Sequence, residues 1–108
     1  MKTKEQLKPN YGPVYAAAMY PGLAEVCRKH GYALAVHGSL ARDFDLIAIP
    51  WVKCPSNKMT VIQAMTKEYA ITLIGGREEK LHGRVAYTLA CGFGNCVIDL
   101  SFMPVIIE

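Results

Sequence analysis

The chain has 108 residues, of which 52% are hydrophobic and 19% are charged, a balance typical of one globular domain with an apolar core. Its net charge of +3 is small, so composition permits contact with nucleotides or nucleic acid without arguing for it. No apolar stretch approaches the roughly 20 residues needed to span a bilayer. No apolar region follows the N-terminal lysines, as it would in a secretory signal. These features predict a cytoplasmic protein that does not associate with a membrane.

The four cysteines are expected to be reduced, because cytosolic thiols are kept reduced and are often buried as small hydrophobes. Two of them, Cys91 and Cys96, flank an expected hairpin turn, so a disulfide between them on oxidation is left open. The cysteine and histidine spacing does not favour a zinc site, which needs closely spaced ligand pairs.

The N-terminal third is expected to contain an irregular arm and one helix. Residues 1–13 form the arm, because a Lys-rich stretch is followed by one that contains Pro and Gly. Residues 14–20 fit either a short helix or a packed extended segment. Pro21 suits the first turn of a helix that ends at Gly31. Apolar residues at helical spacing predict that this helix covers one face of a sheet.

The middle of the chain is expected to hold two strands and a second helix. The strands are 33–37 and 43–49, and their connection, 38–42, is too short for a parallel crossover, so they pair antiparallel. After a loop, Ser56 or Asn57 caps the helix. The expected buried stripe of this helix consists of Met59, Ile62, Met65 and Tyr69.

The C-terminal third completes the predicted sheet. Residues 70–74 fit a strand or the end of the helix, and 75–83 are expected to be polar and flexible. Residues 84–91 and 95–102 form a hairpin. The predicted fold is a single α+β domain over residues 1–108, with a mostly antiparallel sheet of four or five strands and two main helices on one face.

The three aspartates all lie in strand-like apolar stretches, whereas the six glutamates fall in helical, loop or terminal segments. Side chains alternate between the two faces of a strand, so Asp43 and Asp45 project one way and Phe44 and Leu46 the other. If the apolar faces of both strands pack on the same helices, Asp99 shares the opposite face with the other aspartates. A fold that keeps carboxylates adjacent usually offsets their repulsion with a cation.

Three motifs carry a resemblance to a known family. They are a strand that ends in Gly38-Ser39, the Asp43-Phe44-Asp45 motif, and the later strand that holds Asp99. Together they resemble the polymerase-β-like nucleotidyltransferase superfamily over about residues 21–104. The run 37–46 followed by Pro50-Trp51 is similar to small phage and prophage proteins of that superfamily. That similarity implies the cytoplasm of a bacterium or of an infected host cell as the location.

The resemblance implies a minimal nucleotidyltransferase core that uses Mg²⁺ or Mn²⁺ and a nucleoside triphosphate. Gly38 and Ser39 are the implied phosphate contacts, and Arg42 either joins them or pairs with the adjacent acids. Asp99 is implied to complete the metal site or to act as general base. The implied metal ligands are Asp43, Asp45 and Asp99. From the residues alone, the Gly-Ser pair is equally open to a tight-turn role and the aspartates to turn and ion-pair roles.

Two hypotheses for function follow. The first is Mg²⁺-dependent nucleotide binding or nucleotidyl transfer through the three aspartates. The second is a non-catalytic phage accessory module that binds a nucleotide signal or a host protein and so blunts host defence. Only residues 40–42 separate the Gly-Ser and Asp-x-Asp motifs, and this short link favours the second hypothesis. A homodimer through 104–108 is compatible with both. His37 and Trp51 are open to ligand contacts or to local packing.

Overall fold

The computed structural model describes residues 12–38, 43–91 and 97–105. The helices are α1 (Gly12–Lys29) and α2 (Lys58–Glu68), and a short 3₁₀ turn spans Leu81–Gly83. The strands are β1 (Tyr32–His37), β2 (Phe44–Pro50), β3 (Ile71–Glu79), β4 (Val85–Cys91) and β5 (Val97–Phe102). They form one sheet in the order β1-β2-β5-β4-β3, in which β2 and β5 are parallel and the other neighbours are antiparallel. The prediction of a single α+β domain with a mostly antiparallel sheet is confirmed.

One face of the sheet packs against both helices and forms the core. Burial alternates along β2, where Phe44, Leu46 and Ala48 are fully buried and the residues between them are partly exposed. The same alternation places Ile98 and Leu100 of β5 in the core. The helices add Leu23, Val26, Cys27, Val61, Ile62 and Met65 to this cluster. The opposite surface, which carries Asp45, Ile47, Asp99 and Ser101, is called the far face below.

The first helix begins at Gly12, so the prediction that it starts at Pro21 was wrong. Pro21 lies inside α1, where it has no N–H to donate to the preceding turn. Tertiary contacts hold the helix on the N-terminal side of this proline: the Tyr20 hydroxyl donates to the Leu34 carbonyl at 2.6 Å. Residues 14–20 are therefore helical. The predicted irregular arm, 1–13, was wrong for Gly12 and Pro13, which begin α1, and residues 1–11 lie outside the described residues. No helix in the described part of the chain is long and apolar enough to cross a membrane.

The second helix is capped as predicted. The side-chain oxygen of Asn57 accepts hydrogen bonds from the backbone N–H groups of Met59 at 3.0 Å and Thr60 at 3.2 Å, which satisfies two donors that the helix itself leaves free. Ser56 has a different role, because its hydroxyl lies 2.8 Å from Nδ1 of His30. This contact ties the loop after β2 to the end of α1.

The predicted buried stripe of α2 is only partly correct. Ile62 and Met65 are buried, but Met59 is 38% exposed and Val61 is buried in addition. Tyr69 follows the helix in an extended conformation, and its ring packs directly on Gly22 of α1. The contact fixes the C-terminal end of α2 against α1.

The polar stretch after residue 74 is a strand, so the prediction of a flexible 75–83 segment was wrong for 75–79. These residues continue β3, which pairs with β4 through two shifts of register on either side of Gly75. They are largely exposed because β3 is an edge strand, where the backbone ladder rather than a buried face supports the residues. The predicted hairpin turn at 92–96 lies outside the described residues.

Two cysteines have described side chains. Cys27 is buried and Cys54 is exposed, and both are free thiols. Burial raises the pKa of the Cys27 thiol to about 12, which keeps it protonated and unreactive at neutral pH. The hypothesis of a disulfide between Cys91 and Cys96 falls outside the described side chains.

Candidate functional site

A row of polar side chains crosses four strands on the far face. Asp45 of β2 lies directly opposite Asp99 of β5 in the parallel pair. His37 of β1 is opposite Asp45, and Thr88 of β4 is opposite Asp99. Because directly opposed residues share a face, these four residues form one line, called the polar row below. The sheet thus brings together two of the predicted aspartates.

The two central carboxylates of the polar row repel each other. Burial raises the pKa of the Asp45 carboxyl, and the negative charge of Asp99 raises it further, whereas His37 acts in the opposite direction. Among the described residues, no Lys, Arg or His forms an ion pair with Asp45 or Asp99. A bound cation would relieve this repulsion and favour ionisation of both groups.

The end of β1 is shaped around the Asp45 carboxylate. Gly38 has a φ of +77°, a conformation that glycine adopts without steric cost. A side-chain carbon at this position would collide with Oδ2 of Asp45. Beside it, Nε2 of His37 is buried without a hydrogen-bond partner among the described residues. A buried nitrogen without a partner is costly.

The carboxylates of Asp45 and Asp99 fit a metal ion that is also coordinated by the phosphates of a ligand. Among the described residues, no three His, Cys, Asp or Glu side chains are grouped so that they could hold a metal ion. Mg²⁺, however, usually binds through one or two carboxylates together with substrate phosphates and waters. Asp45 and Asp99 in register supply two such carboxylates. The residues present therefore fit Mg²⁺ in a nucleotide complex better than a free ion.

The other predicted site residues lie in different places. Asp43 is exposed just before β2, and its charge contributes the smallest part of the rise in the pKa of Asp45. Ser39 and Arg42 lie outside the described residues, so their phosphate contacts stay predictions. Thr88 was not predicted, since its place opposite Asp99 depends on the register between β4 and β5. Alternation along β4 is the signal that could have placed it on the far face.

An apolar groove of about 500 Å³ lies on the far face beyond the polar row. Ile47 and Ile49 lead into it from Asp45 at alternate positions of β2, and Trp51 at the rim is 62% exposed. The groove is lined by Ile47, Ile49, Pro50, Trp51, Val52, Lys53, Met103, Pro104 and Val105. The sequence singled out Trp51 as a ligand contact and 104–108 as a dimer contact, but not the groove, because it forms where the segments after β2 and β5 meet.

Comparison with known proteins identifies no relative of this chain. No protein-family model, curated protein or solved structure matches it. Its function therefore has to be inferred from the polar row and the groove.

Proposed function

We propose that the protein binds a nucleoside triphosphate together with Mg²⁺ at Asp45 and Asp99, and that nucleotidyl transfer is the reaction it performs. The supporting observation is the register that sets these two carboxylates side by side while Gly38 leaves room for one of them. The resemblance carried by Gly38-Ser39, the Asp-x-Asp motif and Asp99 points to the same residues. Asp45 and Asp99 are both partly exposed, and a phosphate site requires such access.

The residues of the site have separate roles in this proposal. Asp45 and Asp99 hold the ion, which when bound supplies positive charge to the reacting phosphate oxygens. In the transfer, the acceptor oxygen would bond to the α-phosphorus while the bond to the β-phosphate breaks and pyrophosphate leaves. Asp99, on the central strand, would take the proton of the acceptor hydroxyl as general base. The glycine at position 38 keeps the backbone close to Asp45, and Ser39 and Arg42 are proposed to contact the phosphates. Strands on both sides hold the carboxylates of β2 and β5 rigidly, which favours precise positioning.

A second candidate is nucleotide binding without catalysis. The observation that favours it is that no third His, Cys, Asp or Glu joins Asp45 and Asp99 within the described part of the chain. A two-metal transfer site stabilises both the attacking and the leaving oxygens, and two carboxylates offer few ligands for two ions. In this candidate the chain is the accessory module described above, which binds a nucleotide signal or a host protein.

A thermal-shift experiment tests the binding site that both nucleotide-based candidates share. The melting temperature is measured with Mg²⁺ alone, with ATP alone and with both, for wild type, Asp45→Asn and Glu68→Gln. Glu68 is exposed on α2 and controls for the loss of one negative charge. We expect the melting temperature to rise only when both ligands are present, because binding stabilises the folded state by up to about 2.7 kcal/mol at 100 times the dissociation constant. The rise should be lost in Asp45→Asn and kept in Glu68→Gln. No rise in wild type would rule out the nucleotide site.

Labelled nucleoside triphosphates separate the two candidates. With Mn²⁺ or Mg²⁺, label transfer by wild type that is abolished in Asp45→Asn supports the transferase. Binding without any turnover of label supports the second candidate. Equal release of label by wild type and Asp45→Asn would indicate a contaminant and would remove the claim of catalysis.

A further inference from the structure

The apolar groove continues the line of the polar row along the strands. Ile49 lies four residues beyond Asp45 on β2, so the two share the far face, and Met103, which directly follows β5, lines the groove with Ile49. At about 3.3 Å per residue, Ile49 lies roughly 13 Å from Asp45 along β2, and Trp51 follows two residues further on. A ligand held at the acid pair by its phosphates is therefore directed toward the groove by the strands themselves.

The lining of the groove suits a flat, apolar ring. Its volume of about 500 Å³ is within the range of about 300–1,000 Å³ that small-molecule sites occupy. Pro50 and Pro104 have no N–H to donate, and among the described residues that line the groove Lys53 alone is charged. Trp51, largely exposed at the rim, offers an indole surface. Aromatic stacking tolerates every base, whereas discrimination between bases requires hydrogen bonds to their edges.

We infer that the groove receives the nucleobase, which stacks on Trp51, and that the site has little preference among the four bases. The inference rests on the proposed function, because phosphates at Asp45 and Asp99 are what place a base beyond Ile47. It describes the ligand more narrowly: a nucleoside triphosphate recognised by its phosphates and by the flat surface of its base.

Intrinsic fluorescence tests the inference directly, because Trp51 is the only tryptophan of the chain. The protein is titrated in Mg²⁺ with ATP, GTP, CTP, UTP and inorganic tripolyphosphate. We expect all four nucleotides to change the emission, with dissociation constants that differ by less than the tenfold that about 1.4 kcal/mol of base readout would produce. Tripolyphosphate is expected to raise the melting temperature without changing the emission, since it has no base.

Substitutions of Trp51, at the rim of the groove, provide a second test. Calorimetry measures how tightly each variant binds ATP and tripolyphosphate. Trp51→Ala should weaken ATP binding about 5- to 150-fold, the factor that corresponds to losing about 1–3 kcal/mol of stacking. Trp51→Phe should restore most of the affinity, and tripolyphosphate should bind both variants as it binds wild type. Leu81→Ala is the matched control, because Leu81 is also a large exposed apolar residue, at 81%, and does not line the groove.

The outcomes distinguish this inference from the proposed function. If ATP binds in an Asp45-dependent manner but Trp51→Ala binds it as well as wild type, the groove assignment is wrong and the phosphate site stands. Selection of one base by more than about tenfold would overturn the absence of base preference. A wild-type dimer that Trp51→Ala dissociates without loss of ATP affinity would assign the groove to a second copy instead. If neither ATP nor tripolyphosphate binds, the proposed function itself fails.

Discussion

Gly38 combines two requirements that an L-amino acid with a side chain cannot meet together. Its φ is +77°, and the space for a side-chain carbon is already taken by the Asp45 carboxylate. Gly38→Ala should therefore displace Asp45, lower the melting temperature and weaken the response to Mg²⁺ and ATP. The left-handed backbone alone should cost about 1–2 kcal/mol.

Gly76→Ala provides the comparison for Gly38. No atom lies within 4 Å of a carbon added at Gly76, and alanine in a strand restricts the unfolded chain more than glycine does. This variant should be neutral or slightly stabilised in the same thermal melts. Equal destabilisation at both positions would contradict the special role of Gly38.

The Asp45 carboxyl makes stability depend on pH in a defined direction. Burial and the charge of Asp99 raise the pKa of this group in the folded protein, so folding favours its protonated form. Its contribution to stability is full below the unfolded pKa of about 3.9 and is lost as pH rises through the higher folded value. Asp45→Asn should therefore be at least as stable as wild type at neutral pH without metal. The difference in melting temperature should disappear in acid.

Two further variants test whether the pH dependence of stability arises from repulsion between Asp45 and Asp99. Asp99→Asn removes the charge that repels Asp45 and should give a similar gain, whereas Glu68→Gln on α2 should give none. If Asp45→Asn melts below wild type at neutral pH, the carboxylate is held by a favourable partner. The reasoning from repulsion, and with it the need for a cation, would then be wrong.

At the scale of single elements, β2 and β5 carry the core through alternate residues. Leu46 and Leu100 are fully buried, so truncation of either to Ala should cost about 2–5 kcal/mol in chemical denaturation. Ile49→Ala, on the far face and 43% exposed, should cost much less. A loss below about 1 kcal/mol at both leucines would mean that the two faces have been exchanged.

The contact between α1 and the end of α2 predicts that Gly22→Ala destabilises the protein when Tyr69 is present and stabilises it when Tyr69 is removed. A carbon added at Gly22 would overlap the Tyr69 ring and hydroxyl, so Gly22→Ala should destabilise the wild-type chain. In a Tyr69→Ala background the space is free, and Gly22→Ala should then stabilise by up to about 1 kcal/mol through its higher helix propensity. Denaturant titration of the four members of this cycle measures the coupling. Additive effects would show that the two residues do not meet in solution.

How far each element could be predicted depended on how much of it is buried. The period of two along β2 and β5 placed Phe44 and Ile98 in the core correctly, because those strands are covered on one face. Residues 14–20 stayed open between a helix and an extended segment, since local preference puts proline at a helix start and only tertiary contacts such as that of Tyr20 decide the matter. The end of β3 was missed because an edge strand needs no apolar alternation, so Gly76 and its neighbours resembled a loop.

At the scale of the whole molecule, the strand order predicts how stability is distributed. β5 is bonded on both sides, by β2 and by β4, whereas β1 and β3 are at the edges of the sheet. Backbone amides of β5 should therefore exchange with solvent only on global unfolding, and those of residues 75–79 should exchange through local opening. Native-state hydrogen exchange measures both. Protection of 75–79 as high as that of β5 would contradict this order.

The candidate site also shows the limit of local pattern. The faces of Asp45 and Asp99 followed from alternation, whereas Asp43 lies before β2. The pairing of Asp45 with Asp99 depends on β2 and β5 lying side by side in parallel. Nothing near either residue in sequence specifies that register, because long-range pairing is decided by the packing of the complete sheet. Thr88 and the groove were missed for the same reason, since each joins segments that are distant along the chain.

The alternation along β2 has a consequence for how such a protein can evolve. Phe44, Leu46 and Ala48 are fully buried, so selection on them acts through the stability of the fold. The residues between them lie on the far face, where the proposed ligand binds. In a library of single substitutions sorted by expression, 44, 46 and 48 should be depleted of variants, while 45, 47 and 49 should keep most of theirs. Alternate positions of one strand are thus under two nearly independent constraints, stability at the even positions and ligand binding at the odd ones. New ligands can be acquired by drift along the odd positions while the even ones stay unchanged.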